Sequence, residues 1–203
     1  MENFQNNEWP DDQWYFITTS TFLHFPYFRN DKQKQLVKNR LFEIAKKFNL
    51  TIKAYSISIN HFHYYLKIKR GQDYPKIKRL INGGISCLYG KQFEKKYKEI
   101  WQGTKASIVY DEKAHWRVIG YIIGNLLKHR ELGTFHELAD DPFSSYKEFV
   151  AEYGVEMAKN LVYSVINVPE NAEGEVELKV LSGVRLETDV LPRGKEAEAS
   201  DFG

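Results

Sequence analysis

The run Tyr55-Ser-Ile-Ser-Ile-Asn-His-Phe-His-Tyr-Tyr-Leu-Lys-Ile68 constrains the fold more than any other stretch of this chain. Its second half is aromatic and aliphatic with no helix-favouring residues at helical spacing, and it reads as a strand. Side chains alternate across a strand, so His61 and His63 share one face, roughly 6.5–7 Å apart along it. Phe62, Tyr64, Leu66 and Ile68 take the opposite face, where helices are expected to cover them. The histidine face continues through Tyr65 and Lys67 and reads as a polar face on an otherwise buried strand. Two imidazoles at this spacing can converge on one small ion. In a strand, however, such a pair is more often simply solvated or hydrogen-bonded.

The remaining elements fall around that strand. Trp14-Tyr-Phe-Ile-Thr-Thr-Ser20 is aromatic and β-branched and predicts a first strand. After an aromatic loop, Asn30 or Asp31 can cap a helix to about Phe48, with Leu36, Val37, Leu41, Ile44, Ala45 and Phe48 at helical spacing. Thr51 to about Ser58 is a second strand, followed by the His61–Ile68 strand and a turn over Gly71 to Tyr74. Pro75 suits the first turn of a second helix, in which the pair Gly83-Gly84 predicts a kink or break. A fourth strand is expected within Ile100 to Tyr110, and Asp111 caps a long helix to about His129. Loop and short helix follow through Phe143-Ser-Ser-Tyr-Lys-Glu148. From about Pro169 the sequence is acidic and weakly periodic, with Val176 to Val184 as a candidate strand or hairpin. The order strand, helix, strand, strand, helix, strand, helix predicts an α+β fold. Its core is a ferredoxin-like βαββαβ antiparallel sheet, with an additional helix beyond the last strand. Residues 1–150 are expected to form one domain, which the resemblance drawn below implies is catalytic, and 151–203 an acidic, partly disordered C-terminal extension.

Charge supports the same division. The whole chain of 203 residues carries a formal net charge of +2, but residues 151–203 hold 5 Lys/Arg against 11 Asp/Glu, while residues 1–150 hold 24 against 16. A basic body suits a polyanionic partner, although a solvated surface with an acidic end accounts for the same numbers. Cys87 is the only cysteine, which excludes an intrachain disulfide and a cysteine-based zinc site and suits a reducing, cytoplasmic setting. The acidic, polar start is unlike a signal peptide, and no apolar run reaches the length of a membrane span.

A second constellation lies in Trp116-Arg-Val-Ile-Gly-Tyr-Ile-Ile-Gly-Asn-Leu-Leu-Lys128. Ile119, Ile122, Ile123, Leu126 and Leu127 form a wide apolar face. Tyr121 and Asn125 are four apart and stack along one side of the helix, with Arg117 and Lys128 near the same row. Taken alone, a boundary tyrosine beside a polar residue is the plainer explanation.

Taken together, Asn60-His61-Phe-His63 and the downstream Tyr121-x-x-x-Asn125 resemble the HUH single-tyrosine transposases, in particular the REP-associated tyrosine transposases and their insertion-sequence relatives. The stretch Gly90 to Gly103, ending Trp101-Gln-Gly103, resembles that family's segment before a W/F-Q-G turn, and Phe143-Ser-Ser-Tyr146 resembles its W-S-S-Y segment. The resemblance covers roughly residues 12–150, with the motifs in the family's order. One departure is that Leu126 stands where the family usually has proline, so the helix is expected to run on for about a turn past Asn125.

The resemblance implies a transesterification. Tyr121 would be the nucleophile, giving a 5′-phosphotyrosine link and a free 3′-hydroxyl, and His61, His63 and Asn125 would hold Mg²⁺ or Mn²⁺. The substrate implied is single-stranded DNA with a nearby hairpin. Lys76, Lys78, Arg79, Lys91, Lys95, Lys96, Lys98, Arg117 and Lys128 are candidates for DNA contact, and Trp101, Tyr27 or Phe28 for stacking on unpaired bases. For each of these, a solvated lysine or a core aromatic is an equal explanation. His24, His115, His129 and His136 are read as structural or surface residues. The resemblance allows a monomer or a homodimer, and the acidic tail suggests a segment that covers the DNA groove. Two other readings stand beside it: a domesticated nucleic-acid-binding module that does not cut, and a small metal-dependent hydrolase built on His61 and His63.

Overall fold

The computed structural model describes residues 9–93, 99–170 and 176–183. Four strands, β1 (Gln13–Thr21), β2 (Thr51–Ile57), β3 (His61–Ile68) and β4 (Trp101–Val109), form one sheet in the order β2-β3-β1-β4. All three pairings are antiparallel. With helices α1 (Asp31–Phe48) and α2 (Tyr74–Gln92) in the connections, this is the expected ferredoxin-like arrangement. Asn30 caps α1 as expected, accepting from Gln33 N while the Gln33 side chain returns to the Asn30 backbone.

Alternation along the strands divides the core in two. Tyr15, Ile17, Tyr55, Ile57, Phe62, Tyr64, Leu66 and Ile68 meet Leu36, Val37, Leu41 and Ile44 of α1 and Ile77, Ile81 and Ile85 of α2. Trp14, Phe16, Ala54 and Tyr65 meet the other helices. These are α3 (Glu112–Ile123), the single turn α4 (Asn125–Lys128), α5 (Phe135–Asp140), α6 (Tyr146–Tyr153), α7 (Val155–Val165) and α8 (Leu178–Gly183). The histidine face is therefore not an open polar face. It is roofed by α3, which α6 and α7 cover in turn.

Four further expectations change. The helix α2 runs unbroken through Gly83-Gly84. A Cβ at Gly84 would lie 2.2 Å from Arg40 Nε, and that nitrogen donates to Leu80 O at 2.8 Å. Gly84 thus makes room for an α1 arginine lying across α2, and packing offsets the low helix propensity of the pair. The long helix divides instead at Gly124, which ends α3 and precedes α4. The turn beyond Asn125 is present, but it is separated from α3 by Gly124 with φ −91° and ψ −1°. Finally, no boundary falls at residue 150 among the described residues. Ala158, Leu161, Val162 and Val165 of α7 and Leu181 of α8 are buried in the same cluster as α3. The candidate strand at 176–184 is helical over Leu178–Gly183. Residues 184–203 lie outside the described residues.

The crossing of α3 and α7 depends on two glycines one turn apart. A Cβ at Gly120 would sit 2.8 Å from Leu161 O, and one at Gly124 would sit 2.6 Å from Val162 Cγ1. The first obstacle is backbone and cannot rotate away. Gly120→Ala is expected to destabilise the fold by about 1–3 kcal/mol despite alanine's better helix propensity. A urea midpoint equal to or above that of the parent chain would contradict this account of the crossing.

Candidate active site

The histidines are positioned by strand register. Across β1 and β3, Thr18 lies opposite His63 and Ser20 opposite His61. Thr18 Oγ1 lies 2.8 Å from His63 Nδ1, so that nitrogen is committed inside the sheet. His61 is fixed by its neighbour. The Asn60 amide Nδ2 donates to His24 O at 3.2 Å, which turns its Oδ1 towards His61 Nδ1 at 2.8 Å. An acceptor there requires His61 Nδ1 to carry the proton, leaving the lone pair of the neutral ring on Nε2.

Tyr121 and Asn125 come down onto this pair from the roof. The Tyr121 ring centroid is 5.2 Å from that of His63, and Asn125 Oδ1 is 3.0 Å from His61 Nε2. Their placement rests on two ties. Ser144 Oγ donates to Ile123 O at 3.1 Å, while Ser145 brackets Tyr55 on β2 through its backbone N–H and its hydroxyl. Thus the Phe143-Ser-Ser-Tyr146 motif joins the end of α3 to the edge of the sheet. Beyond α4, Glu131 accepts from Ile59 N at 3.0 Å and from the Ser58 hydroxyl, and pairs with Lys34 Nζ at 2.8 Å. That carboxylate fastens the chain after Asn125 to the turn before His61. Burial works against its charge, but Lys34 and Ser58 hold its pKa below the usual value.

The electrostatics favour neutral imidazoles. Burial, with nearby His129 adding to it, lowers His61 to about 3. Burial and His61 take His63 well below its ordinary value. His63 Nε2 and Asn125 Nδ2 are buried without a hydrogen-bond partner, and the His61 Nε2 lone pair faces a carbonyl oxygen. The His61 Nε2 lone pair, the unpartnered His63 Nε2 and the carboxamide oxygen are a donor set that fits a cation when Thr18 Oγ1 accepts from His63 Nδ1, which leaves the neutral ring's lone pair on Nε2. Among the described residues no three His, Cys, Asp or Glu side chains are grouped to hold a metal ion, so the carboxamide is needed to complete the set. Both committed Nδ1 atoms resemble the outer hydrogen bonds that orient metal-ligating histidines.

Tyr121 is covered. It is 1% exposed, and its hydroxyl donates to Glu170 Oε1 at 2.7 Å. The same oxygen lies 3.6 Å from Lys128 Nζ and 3.6 Å from His129 Nε2. The Lys128 ammonium also sits 5.9 Å from the Tyr121 ring centroid and donates to Ile166 O at 3.0 Å. Two of these residues were not legible as site residues. His129, expected to be structural, stacks edge-on against His61 at 4.6 Å, and Glu170 arrives from the acidic segment. By contrast His115 is structural as expected, hydrogen-bonded to Tyr65 Oη at 2.8 Å.

The expected DNA contacts scatter. Lys128 is in the site. Arg117 is buried at 7% exposure, one turn before Tyr121 on α3. Lys76, Lys78, Arg79 and Lys91 are on α2, which covers the opposite face of the sheet. Lys76 reaches over the Phe48 ring, at the end of the sheet away from the histidines. Lys95, Lys96 and Lys98 lie outside the described residues. The proposed stacking aromatics turn inward: Tyr27 and Phe28 are buried, and Trp101 is partly buried against Phe28 and Phe62, donating to Asn82 O at 2.9 Å.

Residues 14–124 match the family model described as IS200-like transposase, more than half of the chain. The chain belongs to the IS200-like transposase family. Its fold is similar to that of a REP-associated tyrosine transposase solved bound to a REP hairpin. The TM-score is 0.63 and the identity 19%, covering 87% of this chain and 99% of that one. A putative transposase from Deinococcus radiodurans R1 gives a TM-score of 0.44 at 16% identity over 60% of this chain and 95% of its own. No curated protein matches. Among the described residues, no helix is long and apolar enough to cross a membrane.

The buried histidines make stability depend on pH in a defined direction. Their folded pKa values lie below the ordinary histidine value near 6.5, so the unfolded chain binds more protons as pH falls. In the presence of chelator, their contribution is complete above about pH 7 and is lost progressively below it, at up to about 1.4 kcal/mol per histidine for each pH unit. Urea midpoints measured from pH 7 to pH 5 should fall less steeply for His63→Gln than for the parent chain. Identical slopes would show that His63 is not held neutral.

Proposed function

We propose that this chain is a metal-dependent single-stranded DNA transposase that nicks and rejoins DNA through a 5′-phosphotyrosine intermediate. The observation that carries the reading is that Tyr121 and Asn125, one turn apart on the roof helices, meet His61 and His63 on the strand beneath. Membership of the IS200-like family supports it, and the relative solved with a REP hairpin supports a hairpin-bearing strand as the partner.

In this reading His61 Nε2, His63 Nε2 and Asn125 Oδ1 are the ligands of a divalent ion. Bound there, Mg²⁺ or Mn²⁺ supplies Lewis-acid neutralisation of the scissile phosphate. The two nitrogen donors favour Mn²⁺ over Mg²⁺, which prefers oxygen. Tyr121 Oη attacks phosphorus, the new O–P bond forms as the P–O3′ bond breaks, and the strand leaves with a 3′-hydroxyl after taking a proton from water. The phenolic proton leaves to water once the substrate has displaced Glu170 from the hydroxyl. The bond energy is retained in the phosphotyrosine, so a second 3′-hydroxyl can reverse the step on new DNA without a nucleotide cofactor. Lys128, above the Tyr121 ring, is placed to meet phosphate charge.

The Glu170 contact bears on access. A carboxylate hydrogen-bonded to the nucleophile stands where an anionic substrate must come, which gives the acidic segment a specific means of restraint. The simplest test incubates the protein with hairpin-bearing DNA from beside its coding sequence, with and without Mn²⁺, and looks for a covalent adduct on a denaturing gel. An adduct that needs Mn²⁺ and is abolished in Tyr121→Phe is expected. Adduct formation by Tyr121→Phe would sink the assignment, and binding unaffected by chelator with no cleavage would favour a non-cutting DNA-binding protein.

A separate expectation concerns the restraint. Glu170→Ala, or removal of residues 169–203, should raise the initial rate of adduct formation several-fold, since about 1 kcal/mol of charge-assisted hydrogen bonding is lost. An unchanged or reduced rate in both would dispose of the idea.

A further inference from the structure

The aromatic segment after β1 is not the surface the sequence suggested, but it is a surface. Tyr27 and Phe28 turn inward, whereas Phe22 is 40% exposed, Leu23 76% and Phe25 41%. Three large apolar side chains within four residues thus face solvent. The backbone holding them is unfavourable for L-residues, with φ +52° at both Leu23 and His24. Two successive non-glycine residues in the left-handed region persist only where surrounding contacts enforce them.

Those contacts lead to the site. Thr21 Oγ1 lies 2.7 Å from Phe25 O and 2.8 Å from Asn60 O, and its single proton is shared between the two carbonyls. Asn60 Nδ2 donates to His24 O at 3.2 Å, and the same amide, through Oδ1, fixes His61 Nδ1. On its other side the loop is tied to the start of β4, through Phe22 N to Ile100 O at 2.8 Å and Leu23 N to Gln102 Oε1 at 3.2 Å. The loop is therefore a fixed rim of the histidine pocket. Its charge is also suited to nucleic acid, because the Arg29 guanidinium lies 5.4 Å from the Phe25 ring centroid.

We propose that the Phe22–Phe25 loop is a stacking platform for unpaired bases of the DNA strand next to the phosphate handled at Tyr121. The proposal deepens the transposase reading and rests on it. Every base has an apolar face, so exposed rings and an aliphatic wedge can hold a strand without reading its sequence. Arg29 can neutralise the adjoining phosphate while lying on the ring. A rigid rim suits this role better than a mobile loop. The strand must be held in register with a buried tyrosine, and a platform already fixed in place loses little entropy on binding.

The test uses a hairpin-bearing oligonucleotide from the DNA beside the coding sequence, with 2-aminopurine placed singly at each unpaired position. Binding is read in chelator, so no cleavage is required. Quenching confined to one or two adjacent positions is expected with the parent chain. It should be lost in Phe25→Ala and in Leu23→Gly, with affinity weakened roughly 5–30-fold. Leu23→Gly keeps the left-handed backbone and should not lower the unfolding midpoint, which separates lost stacking from lost folding. An abasic site at the quenched position should weaken binding to the parent chain but not to Phe25→Ala. Uniform quenching, or an abasic effect that is the same in both proteins, overturns the platform. So does a shift from dimer to monomer in Phe25→Ala by light scattering without any base-specific effect, which would assign the patch to a second copy of the chain. Restoring Mn²⁺ separates the two levels of inference. A Tyr121-dependent adduct without local quenching defeats the platform alone, whereas quenching without an adduct defeats the cutting reading and leaves the stacking surface in place.

Discussion

The close crossing of α3 and α7 sets the height of the roof over the histidines. Gly120 and Gly124 remove the side chains that would hold the two helices apart, and α3 can then carry Tyr121 and Asn125 down onto β3. The consequence is a polar cluster sealed between a sheet and a helical layer. In such a place an imidazole cannot keep a charge cheaply, which is why both histidines are driven towards the neutral form. A neutral imidazole is also the form that ligates a metal. The packing that stabilises the fold thereby sets the protonation state that the proposed metal site needs.

Much of this was legible in the sequence because the relevant geometry is local. Alternation placed His61 and His63 on one face, and a four-residue spacing placed Tyr121 above Asn125, without any knowledge of the fold. Element order then gave the sheet. The errors arose where tertiary packing overrides local signals. Gly83-Gly84 is a helix breaker by propensity, yet Arg40 needs the space at Gly84 and α2 continues. In residues 151–168 the charge pattern points to an acidic tail while the apolar spacing points to a packed helix, and the packing prevails. The spacing of Ala158, Leu161, Val162 and Val165 was already that of a helix with a buried stripe.

The surroundings of the site were less legible than its centre. Nothing local links Glu170 to Tyr121, 49 positions earlier, or Glu131 to the Ser58–Ile59 turn. Such contacts depend on where a loop ends in space. His129 had a weak signal, four residues after Asn125 and so near its row on a continuing helix, but its contact with His61 depends on how that turn meets the sheet. The aromatics of residues 22–28 show the limit clearly. Composition marked the segment as unusual, but two left-handed residues determine which rings face out, and no propensity argument anticipates them.

The arrangement around Tyr121 also joins burial to charge. Lys128 Nζ lies over the phenol and is bound to the backbone of the segment after α7 through Ile166 O, while Glu170 supplies the nearest negative charge. Removing the carboxylate without replacing it would leave a half-buried ammonium beside a buried phenol, an uncompensated charge in a poorly solvated place. In the proposed reaction, a phosphate reaching Tyr121 carries charge of the same sign and offers acceptors of its own. The exchange of one anion for the other keeps Lys128 paired throughout, so the restraint on the tyrosine lies in the hydrogen bond it makes to Glu170. This makes the segment after α7 a better place than the histidine pocket to tune how readily the tyrosine is exposed, because changes there leave His61, His63 and Asn125 in position.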